Sequence, residues 1–182
     1  MAESCQTYFS DYAQSGYTNT RERLGVKIES GSDWIGKEVT AVKWWLMHSG
    51  SNSGTVYCRI YRDGTTDPIH TFGSVDIQTL NEGSAGFCDG GCNWSEHTFT
   101  GDAYTLATND ILCVVNDNGI GDPVMYVNPY YDGEPNNLVQ MRYNGSNWSE
   151  ASGESYRLCI TFSAPASESV PFVPPPIAWV NV

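Results

Sequence analysis

The chain has 182 residues, nine basic and 21 acidic side chains, and a net charge of −12. That length suits one domain with a small appendage, and it can bury a core without needing a metal or disulfide. A charged content of only 16%, beside 18 glycines, 11 tyrosines and six tryptophans, favours an extracellular-type all-β domain over a helical enzyme, and the few, scattered basic residues argue against nucleic acid as a partner.

The opening MAESCQTYFSDY has neither a basic n-region nor an apolar h-region, and no run approaches the roughly 20 apolar residues of a membrane span. The expectation is a chain used without secretory export, or a piece excised from a longer protein. Residues 1–23, with Tyr8, Phe9, Tyr12 and Tyr17, are expected to pack as an aromatic segment on a domain covering 24–163.

Within 24–163 apolar residues recur with period two, the signature of strands with one buried face. After LGVKIE (24–29), TAVKWWLM (40–47) places Val42, Trp44 and Leu46 on one face and Lys43, Trp45 and Met47 on the other. In GTVYCRIYR (54–62), Val56, Cys58 and Ile60 face inward, Tyr57, Arg59 and Tyr61 outward. IHTFGSV (69–75) and EHTFTG (96–101) follow. DILCVVND (110–117) alternates Ile111, Cys113 and Val115 with Leu112 and Val114, so it is apolar on both sides and reads as a central strand. VMYV (124–127) and LVQMRY (138–143) come next, and SYRLCITFS (155–163) turns Tyr156, Leu158, Ile160 and Phe162 inward. Turn clusters separate these segments: SGSNSG, RDGTTDP, NDNGIGDP, YDGEPNN and YNGSNWS. No stretch keeps a 3.6-residue period over three turns. The expected fold is an all-β antiparallel two-sheet sandwich of jelly-roll type.

The tetrapeptide NWSE occurs at 93–96 and 147–150 and reads as two similar turn-to-strand transitions. Asn93, Asn144 and Asn147 match the N-x-S acceptor, whose use depends on the host. Beyond Ser163 the alternation stops. Residues 164–182 run through a short polar linker into SVPFVPPPIAWVNV, where prolines forbid a helix and favour an extended polyproline II arm. The apolar Phe172, Ile177, Trp179 and Val180 make this an assembly arm, expected to dock on a neighbouring copy, with folding back on its own domain as the alternative.

Six cysteines are present. Cys88 and Cys92 enclose only DGG and are a candidate loop disulfide; free thiols are the alternative, and a zinc site would need His97 and further donors to converge. Cys58 and Cys113 sit in alternating apolar runs and read as core filler.

The segments LGVKIESGSDWIGKEVTAVKWWL (24–46), GTVYCRIYR (54–62), FTGDAYTLATNDILCVV (99–115) and YNGSNWSEASGESYRLCITF (143–162) resemble a recurrent, mostly uncharacterised β-sandwich module of archaeal, bacterial and phage surface or virion proteins. They cover roughly two thirds of the chain. The resemblance implies a concanavalin-like or jelly-roll sandwich serving display, adhesion or particle building, and it carries no catalytic residues.

His48, His70 and His97 fall on separate segments without ligand spacing, and neither G-x-S-x-G nor H-E-x-x-H occurs. The carboxylates of Asp63, Asp67, Asp117 and Asp122 read as solvated turn residues, so no enzyme activity and no cofactor are expected. One calcium candidate is kept: Asn116, Asp117, Asn118 and Asp122, oxygen donors on what reads as a tight loop lacking the closing Glu of an EF-hand. The outward residues Trp45, Tyr57 and Tyr61, with Lys43 and Arg59, are expected to form an aromatic platform on two adjacent strands. It would either be covered, by the N-terminal segment or a neighbouring subunit, or hold a sugar. The sequence therefore points to a structural subunit of a virion or extracellular assembly that partners itself, with a carbohydrate-binding or adhesion module for surface glycans, cut from a larger cell-surface protein, as the alternative.

Overall fold

The computed structural model describes residues 1–5, 15–16, 23–49, 53–82, 94–120, 124–127, 129–130, 138–151 and 155–163, with the backbone alone at 15–16, 49, 117–120, 124–127, 129–130, 151 and 155. Cys88, Cys92, Asp122, Tyr8, Phe9, Tyr12, Tyr17 and the whole arm with Phe172, Ile177, Trp179 and Val180 lie outside the described residues.

The described strands are β1 (Ala2–Cys5), β2 (Ser15–Gly16), β3 (Arg23–Ile28), β4 (Glu38–Ser49), β5 (Ser53–Arg62), β6 (His70–Asp76), β7 (Ser95–Thr105), β8 (Asp110–Ile120), β9 (Val124–Val127), β10 (Pro129–Tyr130), β11 (Leu138–Tyr143), β12 (Trp148–Ala151), β13 (Ser155–Tyr156) and β14 (Leu158–Phe162). A 3₁₀ turn at Ile77–Thr79 is capped by the Asp76 carboxylate, which accepts from the Gln78 backbone N–H. The first sheet runs β1-β14-β4-β9-β2, with β7 along the opposite edge of β4; the second runs β12-β11-β3-β8-β5-β6; β10 and β13 form a separate pair. All these strand pairings are antiparallel. The molecule is the all-β sandwich that the alternation predicts.

The inward phase of each strand fills the space between the sheets. Val42, Trp44 and Leu46 from β4 and Tyr156, Leu158 and Ile160 near β14 meet Leu24, Val26, Ile28, Val56, Cys58, Ile60, Leu112 and Val114 from the second sheet, all fully buried. Trp34, in the turn between β3 and β4, is also buried, and its indole N–H donates to Ser4 Oγ at 2.9 Å. On one side the sheets converge until β7 lies against the edge strand β6. A Cβ on Gly101 would stand 2.7 Å from the Phe72 carbonyl oxygen, so only glycine permits that approach.

The turn from β7 to β8 is organised by the buried Asp110. Its carboxylate accepts from Arg62 Nη2 at 3.0 Å, the Tyr104 hydroxyl at 3.0 Å and the Ala107 backbone N–H at 2.9 Å, beside Asn109 at φ 68°. β8 does not turn at NDNGI. It stays extended through Ile120, because Asn116 and Asp117 pair with Val56 and Thr55 of β5. Ladder bonds with a partner strand outweigh the turn preference of Asn and Gly here.

Candidate functional site

The five residues expected to share a platform divide between the two sheets. Lys43 and Trp45 are on β4 in the first sheet; Tyr57, Arg59 and Tyr61 are on β5 in the second. The chain crosses the sandwich between β4 and β5, so these two strands, consecutive in sequence, are not neighbours in a sheet, and their outward faces look in opposite directions.

On the outer face of the first sheet, Lys43 Nζ lies 3.0 Å from Glu3 and 3.2 Å from Glu96. Hydrogen bonds to these two carboxylates raise its pKa above the ordinary lysine value. The Arg157 guanidinium stacks 3.8 Å from the centroid of the Trp45 ring. Also on this face are Cys5 and Cys159, cross-strand partners joined by a disulfide. Sequence reasoning passed over this pair. Its one local signal is phase: Cys159 stands out of step with inward Leu158 and Ile160.

The outer face of the second sheet is organised around β3. One register row runs Trp148, Tyr143, Arg23, Val115, Tyr57 across β12, β11, β3, β8 and β5. The Arg23 guanidinium carbon is 4.2 Å from the Tyr143 ring centroid, 4.3 Å from that of Tyr61 and 6.0 Å from that of Trp148. Its Nη1 donates to the Thr66 carbonyl at 2.8 Å, while Trp148 Nε1 donates to the Thr65 carbonyl at 3.0 Å. Both bonds tie the β5–β6 connection to this face. Beneath lies a second apolar cluster, Tyr61, Ile111, Cys113, Val115 and Met141, with Trp148 packed against it. β8 is thus apolar on both sides, as its sequence implies. The Arg59 guanidinium stacks 4.1 Å from the Tyr57 ring centroid.

β3 reaches β8 closely because of Gly25. A Cβ there would lie 2.3 Å from Cys113 Cβ and 2.5 Å from the Leu112 carbonyl oxygen. Two residues on, Lys27 is almost buried and forms ion pairs with Glu150, with Glu29 at 3.1 Å and with Asp63 at 3.9 Å. Burial lowers its pKa, but hydrogen bonds to Glu150 and Glu29 outweigh that, so the net shift is upward.

Among the described residues, the three aromatic rings expected on the platform each have an arginine stacked on them: Arg157 on Trp45, Arg59 on Tyr57 and Arg23 on Tyr61. Tyr61 itself is 1% exposed, far from the open ring a sugar would stack on. Neither Arg23 nor Trp148 was singled out from the sequence, although Tyr143 and Trp148 flank a turn cluster whose Asn144 side chain accepts from the Ser146 and Asn147 backbone N–H groups.

The calcium candidate loses its loop. Asn116, Asp117 and Asn118 belong to an extended strand, which does not wrap around an ion as a tight loop would; Asp122 lies outside the described residues. His70 meets Phe72 and His97 meets Phe99 edge-to-face, each with ring centroids 4.6 Å apart. Cys58 and Cys113 are free and buried, in the main core and the outer cluster respectively. Burial pushes the Cys58 thiol up to about 12 and Cys113 well above its ordinary value. Thiols held neutral in this way pack as small hydrophobes. No helix among the described residues is long and apolar enough to cross a membrane. No family model, curated protein or solved structure matches the chain.

Proposed function

We propose that the chain is a non-enzymatic structural subunit of a virion or extracellular assembly, a capsid, decoration or fibre protein. It self-associates through the faces of a jelly-roll-type sandwich and through its C-terminal arm. The observation that carries this reading is the outer face of the second sheet. A two-sheet sandwich needs only the core between its layers. Here a further apolar cluster lies outside that core, with Arg23, Tyr57, Tyr143, Trp148 and Arg59 around it. Tyr, Trp and Arg about a desolvated centre are the residues that dominate protein–protein interfaces.

The Cys5–Cys159 disulfide supports an oxidising setting such as a virion or cell surface. In the arm, Ile177, Trp179 and Val180 supply β-forming apolar side chains for strand addition to a neighbour. The alternative, a carbohydrate-binding or adhesion module, draws on Trp148 and Tyr57, both half-buried and aligned in one register row. The arginines already stacked on the rings favour the assembly reading over it.

Light scattering on the full chain and on a chain lacking 170–182, beside a glycan array, tests the proposal. The expected result is an oligomer that the deletion converts to a folded monomer, with no glycan retained. A full-length monomer that retains a glycan would replace the assembly reading with the adhesion one.

A further inference from the structure

β1 is attached in an unusual way. Among the described residues it lies at the edge of the first sheet and pairs only with β14, from Ala2 opposite Phe162 to Cys5 opposite Cys159. None of its residues belongs to the core: Ala2 and Glu3 are exposed, Ser4 and Cys5 half-buried. Beyond the ladder, three described contacts hold it: the Cys5–Cys159 disulfide, the Trp34 indole N–H donating to Ser4 Oγ at 2.9 Å, and the Glu3–Lys43 ion pair at 3.0 Å. β14 is anchored differently. Leu158 and Ile160 are fully buried in the core, and its other edge pairs with β4. Removing β1 therefore takes no apolar side chain from the core, while β14 keeps its place.

We propose that the Cys5–Cys159 disulfide is a redox latch. Reduction releases β1 and opens the edge of β14 while the sandwich stays folded. The co-reactant is a dithiol. Its thiolate attacks Cys5 Sγ, the more accessible sulfur, since Cys159 is only 3% exposed. The S–S bond breaks, Cys159 leaves as a thiolate and takes a proton, and a mixed disulfide forms on Cys5. The second thiol of the dithiol then displaces Cys5, so two electrons and two protons have passed to the protein and the dithiol is left as a cyclic disulfide. With the covalent tie gone, the described contacts left to β1 are one ladder, one hydrogen bond and the ion pair from the exposed Glu3 to Lys43, contacts of the kind that open locally. The released β14 edge presents unpaired N–H and C=O groups, a template for strand pairing. This inference does not depend on the assembly proposal.

Hydrogen exchange read by mass spectrometry on the full chain, with and without dithiothreitol, tests it, together with a Cys5→Ser/Cys159→Ser variant measured without reductant. Strand amides alternate between two neighbours, so about half of the β14 amides face β1. Those should exchange at least tenfold faster after reduction and in the variant, with β3, β5 and β8 unchanged. The variant separates this bond from any other cysteine the reductant reaches. Unchanged β14 exchange in both samples would make the disulfide a static staple, and simultaneous loss of protection in all strands would make it a requirement of the fold; either result overturns the latch.

Discussion

The Arg23 guanidinium lies 4.3 Å from the centroid of the Tyr61 ring, joining the start of β3 to the end of β5 across the strand between them. The same group is 4.2 Å from Tyr143, so a single planar cation is shared by two rings. Desolvated cation–π contacts contribute up to about 2 kcal/mol each. Arg23→Ala should therefore destabilise the sandwich by about 2–3 kcal/mol, and Arg23→Lys, which keeps the charge but not the plane, by about half as much. Thermal unfolding checks this, at roughly 2–4 °C per kcal/mol for a chain of this size. Equal midpoints for wild type and Arg23→Ala would show that the stack contributes nothing.

Asp110 is a second test of the fold. Its carboxylate serves Tyr104, the Ala107 N–H and Arg62, whose side chain is 52% exposed. The ion pair is discounted for that exposure, so the main loss in Asp110→Ala is two protein donors left without an acceptor, at about 1–3 kcal/mol each. Urea unfolding should show a lower midpoint, and Asp110→Asn, which keeps part of the acceptor capacity, should fall between. Full stability in Asp110→Ala would mean water replaces the carboxylate without cost.

Gly25→Ala should be among the most damaging small substitutions in the second sheet. The added methyl would overlap Cys113 Cβ and the Leu112 carbonyl, so β3 and β8 must separate. The expected loss is at the upper end of, or beyond, the ~1–3 kcal/mol usual for overpacking. Urea titration of the variant, or its failure to accumulate in soluble form, is the readout. A wild-type midpoint would contradict the register at this position.

The buried thiols fix the alkaline limit. Cys58 keeps its proton to about pH 12 in the folded chain against an ordinary value of 9.0, and Cys113 shifts the same way. Below pH 9 their contribution is fully present. As pH rises from 9 towards 12 the unfolded chain ionises first, so stability falls, by about 1.4 kcal/mol per pH unit for one such thiol. Tyr61, Tyr104, Lys27 and Lys43, all raised, act in the same direction. His97, lowered by burial, works at the other end: stability is lost as pH falls below 6.5. Urea midpoints between pH 5 and 11 should trace that dome, and iodoacetamide at pH 8 should leave Cys58 and Cys113 unmodified until the chain unfolds. Rapid native alkylation at either position would show that it is not buried.

Alternation made the nine apolar strand segments and their inward faces legible, down to Val42, Trp44 and Leu46 on β4 and the two-sided apolar character of β8. It specifies which face a residue takes, not which strand lies alongside. That is why Trp45 and Tyr57 looked adjacent and are in fact on opposite sheets. β1, with its sequence AESC, has no apolar alternation to detect, and its position depends on pairing with a strand 154 residues away at the disulfide. β12 begins where NWSE reads as a turn-to-strand transition, but its pairing with β11 is not legible there, and the Arg23 stack depends on three strands that only the folded sheet brings together.

Sedimentation velocity over a concentration series, comparing the full chain with a Tyr57→Ser/Arg59→Glu double variant, tests the central claim of self-association most directly. The two positions lie on the outer face of the second sheet, outside its apolar cluster, so the variant should keep the wild-type circular dichroism spectrum. The expected result is a wild-type oligomer whose population grows with concentration and a variant that sediments as a monomer throughout. A wild-type chain that remains monomeric across the series, or a folded variant that assembles as well as wild type, would contradict the account.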